Sequence, residues 1–222
     1  QGKIGTPVNI QCRYFCSEFH NRDSWRCKNT GSFLIGEKLS HYLDLQRWFF
    51  GQPAESVYSL SAPKVVSYFN HRDNHQIMTK FHGGGVGVLN FIMYLGETYS
   101  KDPAVEMLTK QSDDGHTLQY HIVGTKGAIE TDVFRRRIRR WEFSDAPEHQ
   151  LSKIAEVVTY LPENDPVWIH NTPGQNIRIA ELVAKGMKPE VPARDAYETM
   201  KLCFAAEESE NTGKIILMDS IG

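Results

Sequence analysis

The sequence predicts an α+β fold in which helices are packed on one face of a large, open, mostly antiparallel sheet. Several segments of alternating apolar and polar residues follow one another, and glycine or Asp/Asn clusters that favour tight turns separate them. Strands joined by such short turns favour antiparallel neighbours. Apolar residues recur at helical spacing both before most of these strands and near the end of the chain, which predicts the helices.

The first predicted element is a strand over residues 6–19, where Ile10, Cys12 and Tyr14 alternate with polar residues and mark an inward face. Residues 19–32 then form a loop rich in polar side chains. This loop is placed either to contact a polar substrate or to be an exposed connection without a role. The later predicted strands span residues 55–66, 75–81, 86–94, 118–123, 128–134 and 137–143.

The segment 36–51 is the predicted helix around which the rest is organised. Ser32 is a suitable cap for a helix that starts near Phe33, and Gly51 followed by Pro53 is a typical helix end. Two more helices are predicted near the end of the chain. The first spans residues 172–186, with Ile177, Ala180, Val183 and Ala184 as its buried stripe, and the second spans residues 193–211.

Three titratable side chains share one stripe of the organising helix. Glu37, His41 and Asp44 follow one another at spacings of four and three residues, which places them on the same face. A carboxylate in line with an imidazole can fix its tautomer and raise its basicity, and a second carboxylate can orient a hydroxyl, as proton transfer requires. The structural alternative is that Glu37 favours the positive helix end, His41 is a hydrogen-bonded core histidine, and Asp44 pairs with Arg47. The spacing alone leaves both interpretations open.

The composition is that of an ordinary globular chain. The 222 residues are 40% hydrophobic and carry a formal net charge of -2, so no overall field attracts nucleic acid or an anionic membrane. No apolar run is long enough for a membrane span, and the first residues are not a signal peptide. We therefore expect one domain over residues 1–222, in the cytoplasm. Because the chain begins with Gln1, we expect it to be a piece of a longer polypeptide or a processed product.

Two motifs have simpler explanations than the functions they suggest. The glycine-rich run 83–87 is followed by another strand, whereas a dinucleotide fingerprint needs GxGxxG between a strand and a helix, so we interpret it as a hairpin turn. The arginines of residues 135–140, next to Trp141, could form a nucleic-acid patch. In a strand such residues divide between two faces, which favours a charged sheet edge or a subunit contact.

The cysteines predict neither a disulfide framework nor a metal site. Cys12, Cys16, Cys27 and Cys203 are too few and too unevenly spaced for a framework in a chain of this length. His20 lies near the first three in sequence, but Cys-x3-Cys in an alternating strand puts two thiols on one face through the strand period alone. We therefore expect reduced thiols and no metal.

Segments at both ends of the chain and the organising helix resemble one known family. The similar segments are residues 2–8, residues 36–53, and residues 205–209 with 212–214. They look like the second half of the glucose-fructose oxidoreductase and inositol dehydrogenase (Gfo/Idh/MocA) family, and the similarity spans nearly the whole chain. In that family a nucleotide-binding Rossmann domain precedes a domain whose large open sheet holds substrate and makes subunit contacts. The resemblance maps this chain onto the second domain only.

The resemblance also implies roles for individual residues. His41 matches the family's catalytic proton-transfer histidine, and Glu37 matches the acid before it, although many members carry Asp there. Asp44 matches a position that can bind a substrate hydroxyl, and His20 falls where some members contact their polyol. The chain carries no GxGxxG after a first strand and no Glu-Lys-Pro motif with the family's catalytic lysine.

The function implied is the substrate-binding and oligomerisation domain of an NAD(P)-dependent oxidoreductase that acts on a sugar, cyclitol or polyol. NAD or NADP is expected for the complete enzyme, while this fragment alone should bind neither and be inactive. A homodimer or homotetramer through the exposed sheet face is expected, because an uncovered apolar face needs a partner. The alternatives are a non-catalytic binding or assembly module of the same fold, and a relative that cleaves glycosides with NAD.

Overall fold

The computed structural model describes residues 2–17, 22–29, 32–95, 117–160 and 172–221, which form a single nine-stranded sheet with helices on one face. The strands are β1 (Pro7–Ser17), β2 (Ala54–Ser61), β3 (Asn74–Phe81), β4 (Val86–Leu95), β5 (Thr117–Gly124), β6 (Gly127–Asp132), β7 (Arg137–Asp145), β8 (Gln150–Thr159) and β9 (Ile216–Leu217). The helices are α1 (Arg26–Asn29), α2 (Leu39–Phe50), α3 (Thr172–Ala184) and α4 (Ala193–Thr212), with a π-helical turn at Phe33–Glu37 and a 3-10 turn at Met218–Ser220.

The sheet has the strand order β8-β7-β6-β5-β1-β4-β3-β2-β9. All neighbouring pairs are antiparallel except β1 with β4, which run parallel. The first strand of the chain therefore lies between two meanders, one formed by β2, β3 and β4 and the other by β5 to β8. The predicted fold class, a large and mostly antiparallel open sheet with helices, is confirmed.

The core lies between one face of the sheet and helices α2 and α4. Along β1, Ile10 and Cys12 are fully buried while Gln11 and Arg13, which alternate with them, are exposed, as the alternation predicts. Leu39 and Leu43 of α2 are also completely buried, and each such side chain contributes about 1.5–3 kcal/mol through the apolar surface removed from water. This packing fixes which face of α2 points away from the sheet.

The segment before α2 differs from the prediction of one continuous helix. Ser32 does act as a cap, with its Oγ accepting a hydrogen bond from the Ile35 N–H at 3.1 Å, but it caps the π-helical turn. Lys38 then leaves helical geometry, with φ −147° and ψ −17°, and α2 starts at Leu39. Leu34 and Leu39 are both fully buried although five residues apart, and the wider π-helical turn brings both to the core side.

Other boundaries were predicted more closely. Helix α2 ends at Gly51, whose φ of 61° allows the left-handed cap, as the sequence predicts. The run 83–85 is the expected hairpin turn, since Gly83 and Gly84 have φ of 87° and 89° and link β3 to β4. The strand predicted over residues 55–66 ends at Ser61, and strands β8 and β9 were not predicted.

The predicted buried stripe of α3 is wrong for the described residues. Ile177 and Val183 are 59% and 68% exposed, Ala180 and Ala184 are exposed as well, and Leu182 is buried instead. Periodicity places apolar residues on particular sides of a helix, but it does not supply the surface that would cover them.

The arginine-rich segment forms a balanced charge ladder within the sheet. Arg139 pairs with Glu130 on the neighbouring strand at 2.6 Å, and Arg140 pairs with Glu142 at 2.8 Å and Glu156 at 3.1 Å. The segment lies mostly on β7, which β8 separates from the sheet edge, so the prediction of a charged edge is wrong. These pairings also leave no concentrated positive charge for a nucleic acid.

None of the helices that the structure describes is both long enough and apolar enough to cross a membrane. The four cysteines are free thiols and all are buried. In the described ranges, no group of three or more His, Cys, Asp or Glu side chains is arranged to hold a metal ion.

Candidate active site

His41 lies in the first turn of α2 and faces away from the sheet. Leu39 and Leu43 on either side of it are buried, whereas His41 itself is exposed. Within the described part of the chain, its imidazole forms no hydrogen bond or ion pair. His41 is therefore not the hydrogen-bonded core histidine of the structural alternative, and its ring is open to a ligand.

Glu37 ends the π-helical turn and is bound by Arg26 of α1. Arg26 Nη1 donates to both carboxylate oxygens of Glu37, at 2.5 and 3.0 Å, and the Glu37 side chain is only 3% exposed. Such a charge-assisted contact to both oxygens fixes the direction of the carboxylate. A backbone bond from the Asn70 N–H to the Cys27 carbonyl, 2.9 Å long, ties the same short helix to the loop before β3. Glu37 thus binds the short helix α1.

Asp44 points toward helix α4. Its Oδ1 accepts a hydrogen bond from the Thr199 hydroxyl at 2.5 Å and lies 3.5 Å from Arg47 Nη1. Arg47 in turn donates to Asp195 Oδ1 at 2.8 Å, so one cluster joins α2 to α4. The Asp44 side chain is still 45% exposed. The predicted pair with Arg47 is therefore present, and it leaves one side of the carboxylate facing water.

The structure does not join the three predicted site residues into one hydrogen-bonded stripe. Glu37 precedes the break at Lys38 and turns toward α1, His41 faces outward, and Asp44 turns toward α4. The expectation that Glu37 lies in line with His41 on one helix is wrong, because the π-helical turn changes the direction of the chain between them. His20 lies outside the described residues. The catalytic and substrate-binding roles of these residues stay predictions.

A buried polar cluster on the other side of the π-helical turn was missed by sequence reasoning. His75 Nδ1 lies 2.8 Å from Glu210 Oε1, and the two side chains are 0% and 1% exposed. Ser59 donates to the same oxygen at 2.7 Å, and Arg72 donates to Oε2 at 3.0 Å. Burial alone would raise the pKa of Glu210, but the hydrogen bonds from His75, Ser59 and Arg72 outweigh burial and hold that pKa below its ordinary value.

His71 connects this cluster to the candidate site. Its ring stacks on Phe33 with 5.1 Å between centroids and 4° between planes, and both ring nitrogens are buried without a hydrogen-bond partner among the described residues. Burial lowers the pKa of His71, and the positive potential of His75 lowers it further, while Asp73 and Glu37 act in the opposite direction. No sequence signal indicated this arrangement, since Glu210 and His75 are 135 residues apart.

Lys38 and two tyrosines form a second unforeseen contact beside His41. Lys38 Nζ donates to Tyr14 Oη at 3.1 Å, and the rings of Tyr14 and Tyr42 lie 5.1 Å apart. Burial raises the pKa of Tyr14 well above its ordinary value, so its hydroxyl stays protonated. The amine of Lys38 is thereby directed toward β1.

The described residues do not fit the phosphates of a dinucleotide. Such a site needs a glycine-rich turn between a strand and a helix, and the glycine-rich turn at residues 83–85 joins two strands. What these residues can do is hold a polar ligand at the exposed start of α2 and exchange a proton with it through His41.

The broad open sheet with helices on one face can be compared with known protein families. Residues 1–218 match the family described as "Oxidoreductase family, C-terminal alpha/beta domain" (Gfo/Idh/MocA). The chain belongs to this family, which confirms the resemblance found in the sequence. The comparison with curated proteins finds no match.

Solved structures share this fold at low sequence identity. Levoglucosan dehydrogenase in complex with NADH and L-sorbose aligns with a TM-score of 0.68 and 16% identity, over 98% of this chain and 60% of that one. WlbA dehydrogenase from Bordetella pertussis, in complex with NADH and UDP-GlcNAcA, gives 0.64 and 17%, over 97% and 56%. Aldose-aldose oxidoreductase from Caulobacter crescentus, complexed with glycerol, gives 0.66 and 13%, over 97% and 57%. The chain therefore spans less than two thirds of each of these proteins.

Proposed function

We propose that this chain is the substrate-binding and oligomerisation domain of a nicotinamide-dependent oxidoreductase that acts on a sugar, cyclitol or polyol. The observation that carries the proposal is the imidazole of His41, which is exposed and has no partner among the described residues. The chain that carries it belongs to an oxidoreductase family. The NADH complexes of levoglucosan dehydrogenase and WlbA favour NAD over NADP as the cofactor of the complete enzyme. The dinucleotide, when bound, supplies the hydride acceptor.

The chemistry assigned to this chain is proton exchange and substrate orientation. His41 accepts the proton of the reacting hydroxyl in the oxidation direction and returns it in the reduction direction. Histidine suits this task because it changes protonation state near neutral pH. The residues that would hold the dinucleotide phosphates are not among those described, so we assign them to another part of the complete enzyme.

The two acids have supporting roles in this proposal. Asp44 Oδ1 is already bound by Thr199, while Asp44 Oδ2 has no partner within the described ranges and is placed to accept a hydrogen bond from a substrate hydroxyl. Asp44 and His41 are three residues apart on α2, a spacing at which helical side chains are neighbours. Glu37 is a positioning residue, since its ion pair with Arg26 joins the π-helical turn before α2 to helix α1.

The oligomerisation role is assigned to the open face of the sheet. Tyr58, Met78 and Val88 are aligned across β2, β3 and β4 on the face opposite the helices, and Met78 is 53% exposed. The edge strand β8 is a poor alternative, because it carries Lys153 and a register shift opposite Arg140, both of which hinder edge pairing. We therefore propose a homodimer or homotetramer that pairs open faces.

Turnover by the complete enzyme tests the catalytic proposal. A polypeptide that carries this chain together with its nucleotide-binding half should oxidise members of a polyol and sugar panel, and His41→Ala should lower kcat by about 10²- to 10⁴-fold. His149→Ala is the matched control, because His149 is equally exposed but lies in the turn between β7 and β8. Undiminished turnover in His41→Ala refutes the assigned role.

A second candidate function is a non-catalytic binding or assembly module. It is favoured by one observation, namely that no acid among the described residues orients His41. Nucleotide titration of the complete polypeptide separates the two functions: an enzyme binds NAD at micromolar to millimolar concentration, whereas a pure assembly module elutes as an oligomer in gel filtration and does not bind it.

A further inference from the structure

A polar cavity lies at the opposite end of α2 from His41. Its volume is about 560 Å³, and it lies between the end of α2, the start of α4 and the 3-10 turn at Met218–Ser220. This volume is within the range of small-molecule sites. The residues that line it include Trp48, Gln52, His82, Lys201 and Asp219.

Trp48 provides the apolar wall of this cavity. Its side chain is 72% exposed, and its ring meets that of Phe49 edge-on at 4.9 Å, a contact that leaves most of the indole uncovered. An aromatic face carries partial negative charge and attracts groups with partial positive hydrogens. The C–H groups on one side of a pyranose ring are such hydrogens, so a sugar can stack there.

The polar wall offers both donors and acceptors that the protein does not use. Gln52, His82, Lys201 and Asp219 form no side-chain hydrogen bond or ion pair with any described residue. An amide, an imidazole, an ammonium and a carboxylate together can both donate to and accept from hydroxyl groups. Sugar hydroxyls need this mixture, because each one is a donor and an acceptor.

The base of the cavity is held in place before any ligand arrives. Arg47 is 12% exposed and donates to Asp195 Oδ1 at 2.8 Å and to Thr199 Oγ1 at 2.6 Å. These bonds fix the end of α2 against the start of α4. A preformed wall lowers the entropy that a ligand must overcome on binding.

The cavity and His41 share one stripe of α2. Trp48 follows His41 by seven residues, which is two helical turns and about 10 Å along the axis. Leu45, four residues after His41, lies between them on the same side of the helix. A ligand of two linked sugar rings can lie along this stripe with one ring at each end.

We propose that the cavity at Trp48 is a saccharide subsite, which holds the second sugar unit of a substrate whose reacting hydroxyl lies at His41. The assignment of the reacting end rests on the proposed function, whereas saccharide binding at Trp48 does not. The substrate class is then a disaccharide or glycoside instead of a free monosaccharide.

Calorimetric titration of the chain with cellobiose and maltose tests the subsite, with glucose for comparison. We expect Trp48→Ala to weaken disaccharide binding by about tenfold, the effect of losing one aromatic stacking contact. Phe204→Ala is the matched control, because Phe204 is 51% exposed on α4 but does not line the cavity. This variant should bind the disaccharides as tightly as the unchanged protein does. Because both side chains are exposed, neither change should affect folding.

Equal disaccharide affinity in Trp48→Ala and the unchanged protein overturns the proposal, as does an unchanged protein that binds neither disaccharide. A second variant, Asp219→Ala, should also weaken binding while leaving the indole in place. The two proposals fail separately: full turnover in His41→Ala removes the catalytic assignment without changing the titration, and unaltered binding in Trp48→Ala removes the subsite without changing the catalytic result.

Discussion

Two histidines on either side of the π-helical turn show opposite environments. His41 is exposed and has no partner among the described residues, whereas His75 is fully buried and bonded to Glu210 and to the Arg72 carbonyl. A histidine whose ring nitrogens are all bonded inside the core contributes to stability and has no capacity left for a ligand. An exposed ring without partners contributes little to stability and keeps that capacity. We therefore expect the two regions to separate into a stability site and a binding site.

The largest expected effect is the loss of the buried pair. Glu210→Ala leaves His75 and Arg72 without their acceptor inside the protein, and breaking such a pair costs about 3–5 kcal/mol in the free energy of unfolding. Urea unfolding followed by circular dichroism measures this loss. Glu208→Ala is the control on the same helix, because Glu208 is exposed and its change should stay within about 0.5 kcal/mol.

If His41 belongs to a binding site and not to the stable core, His41→Ala should change the free energy of unfolding by no more than about 0.5 kcal/mol in the same experiment. If His41→Ala were as destabilising as Glu210→Ala, the two histidines would both be structural. If Glu210→Ala left the free energy of unfolding unchanged, this result would contradict the stabilising role given to the buried cluster.

A smaller effect is expected at the ion pair between the two regions. Arg26→Met removes the charge-assisted contact to both oxygens of the Glu37 carboxylate, whose side chain is 3% exposed, and loss of a hydrogen bond to a charged group costs about 1.5–3 kcal/mol. Lys28→Met is a matched control from the same short helix, since Lys28 pairs with an Asp23 side chain that is 94% exposed. Exposed pairs of this kind contribute about 0–1 kcal/mol. Equal losses in the two variants would show that Glu37 is not held by Arg26.

The cap of the π-helical turn tests whether this turn contributes both to stability and to substrate binding. Ser32→Ala removes the bond to the Ile35 N–H, and loss of a side-chain cap costs about 1 kcal/mol. Because the turn carries Glu37, the variant should also weaken substrate binding by the complete enzyme, whereas Ser40→Ala, within α2, should not. Thermal unfolding and the KM of the complete enzyme check the two parts, and an unchanged KM would separate the turn from the site.

The sequence was sufficient for the fold class, because the fold class depends largely on local patterns. Alternation in β1 and the turn at Gly83 and Gly84 each determine structure within a few residues. The position of β1 between β4 and β5 could not be obtained in this way, since the register of Ile10 with Gly87 joins residues far apart in the chain. The same limit explains why β8, which is exposed at almost every position, showed no usable pattern.

The sequence suggested individual candidate residues for the site, whose roles stay predictions, but it did not predict how they are arranged. Spacing alone put Glu37, His41 and Asp44 on one stripe, and this holds only if one helix contains all three. Glu37 instead ends a separate π-helical turn and is bound by Arg26, while α2 starts at Leu39. The partners of the buried cluster could not be found from spacing, because Ser59 and Glu210 meet only after β2 and α4 have packed.

The smallest expected effect is a pH dependence centred on His71. Its folded-state pKa lies below the ordinary 6.5, because burial disfavours the imidazolium and His75 adds to this. The unfolded chain therefore binds a proton before the folded one does, and the stability that neutral His71 contributes is complete above pH 6.5 and is lost as the pH falls below it. Glu210, with a folded-state pKa below 4.5, adds a second loss only when the pH falls below that value.

Urea unfolding at a series of pH values from 8 to 3, in half-unit steps, resolves the two losses. His71→Phe keeps the aromatic stack on Phe33 but cannot take up a proton, so the decline between pH 6.5 and 4.5 should become shallower while the decline below 4.5 remains. An equally steep decline between pH 6.5 and 4.5 in His71→Phe and in the unchanged protein would contradict the role given to the buried His71 ring.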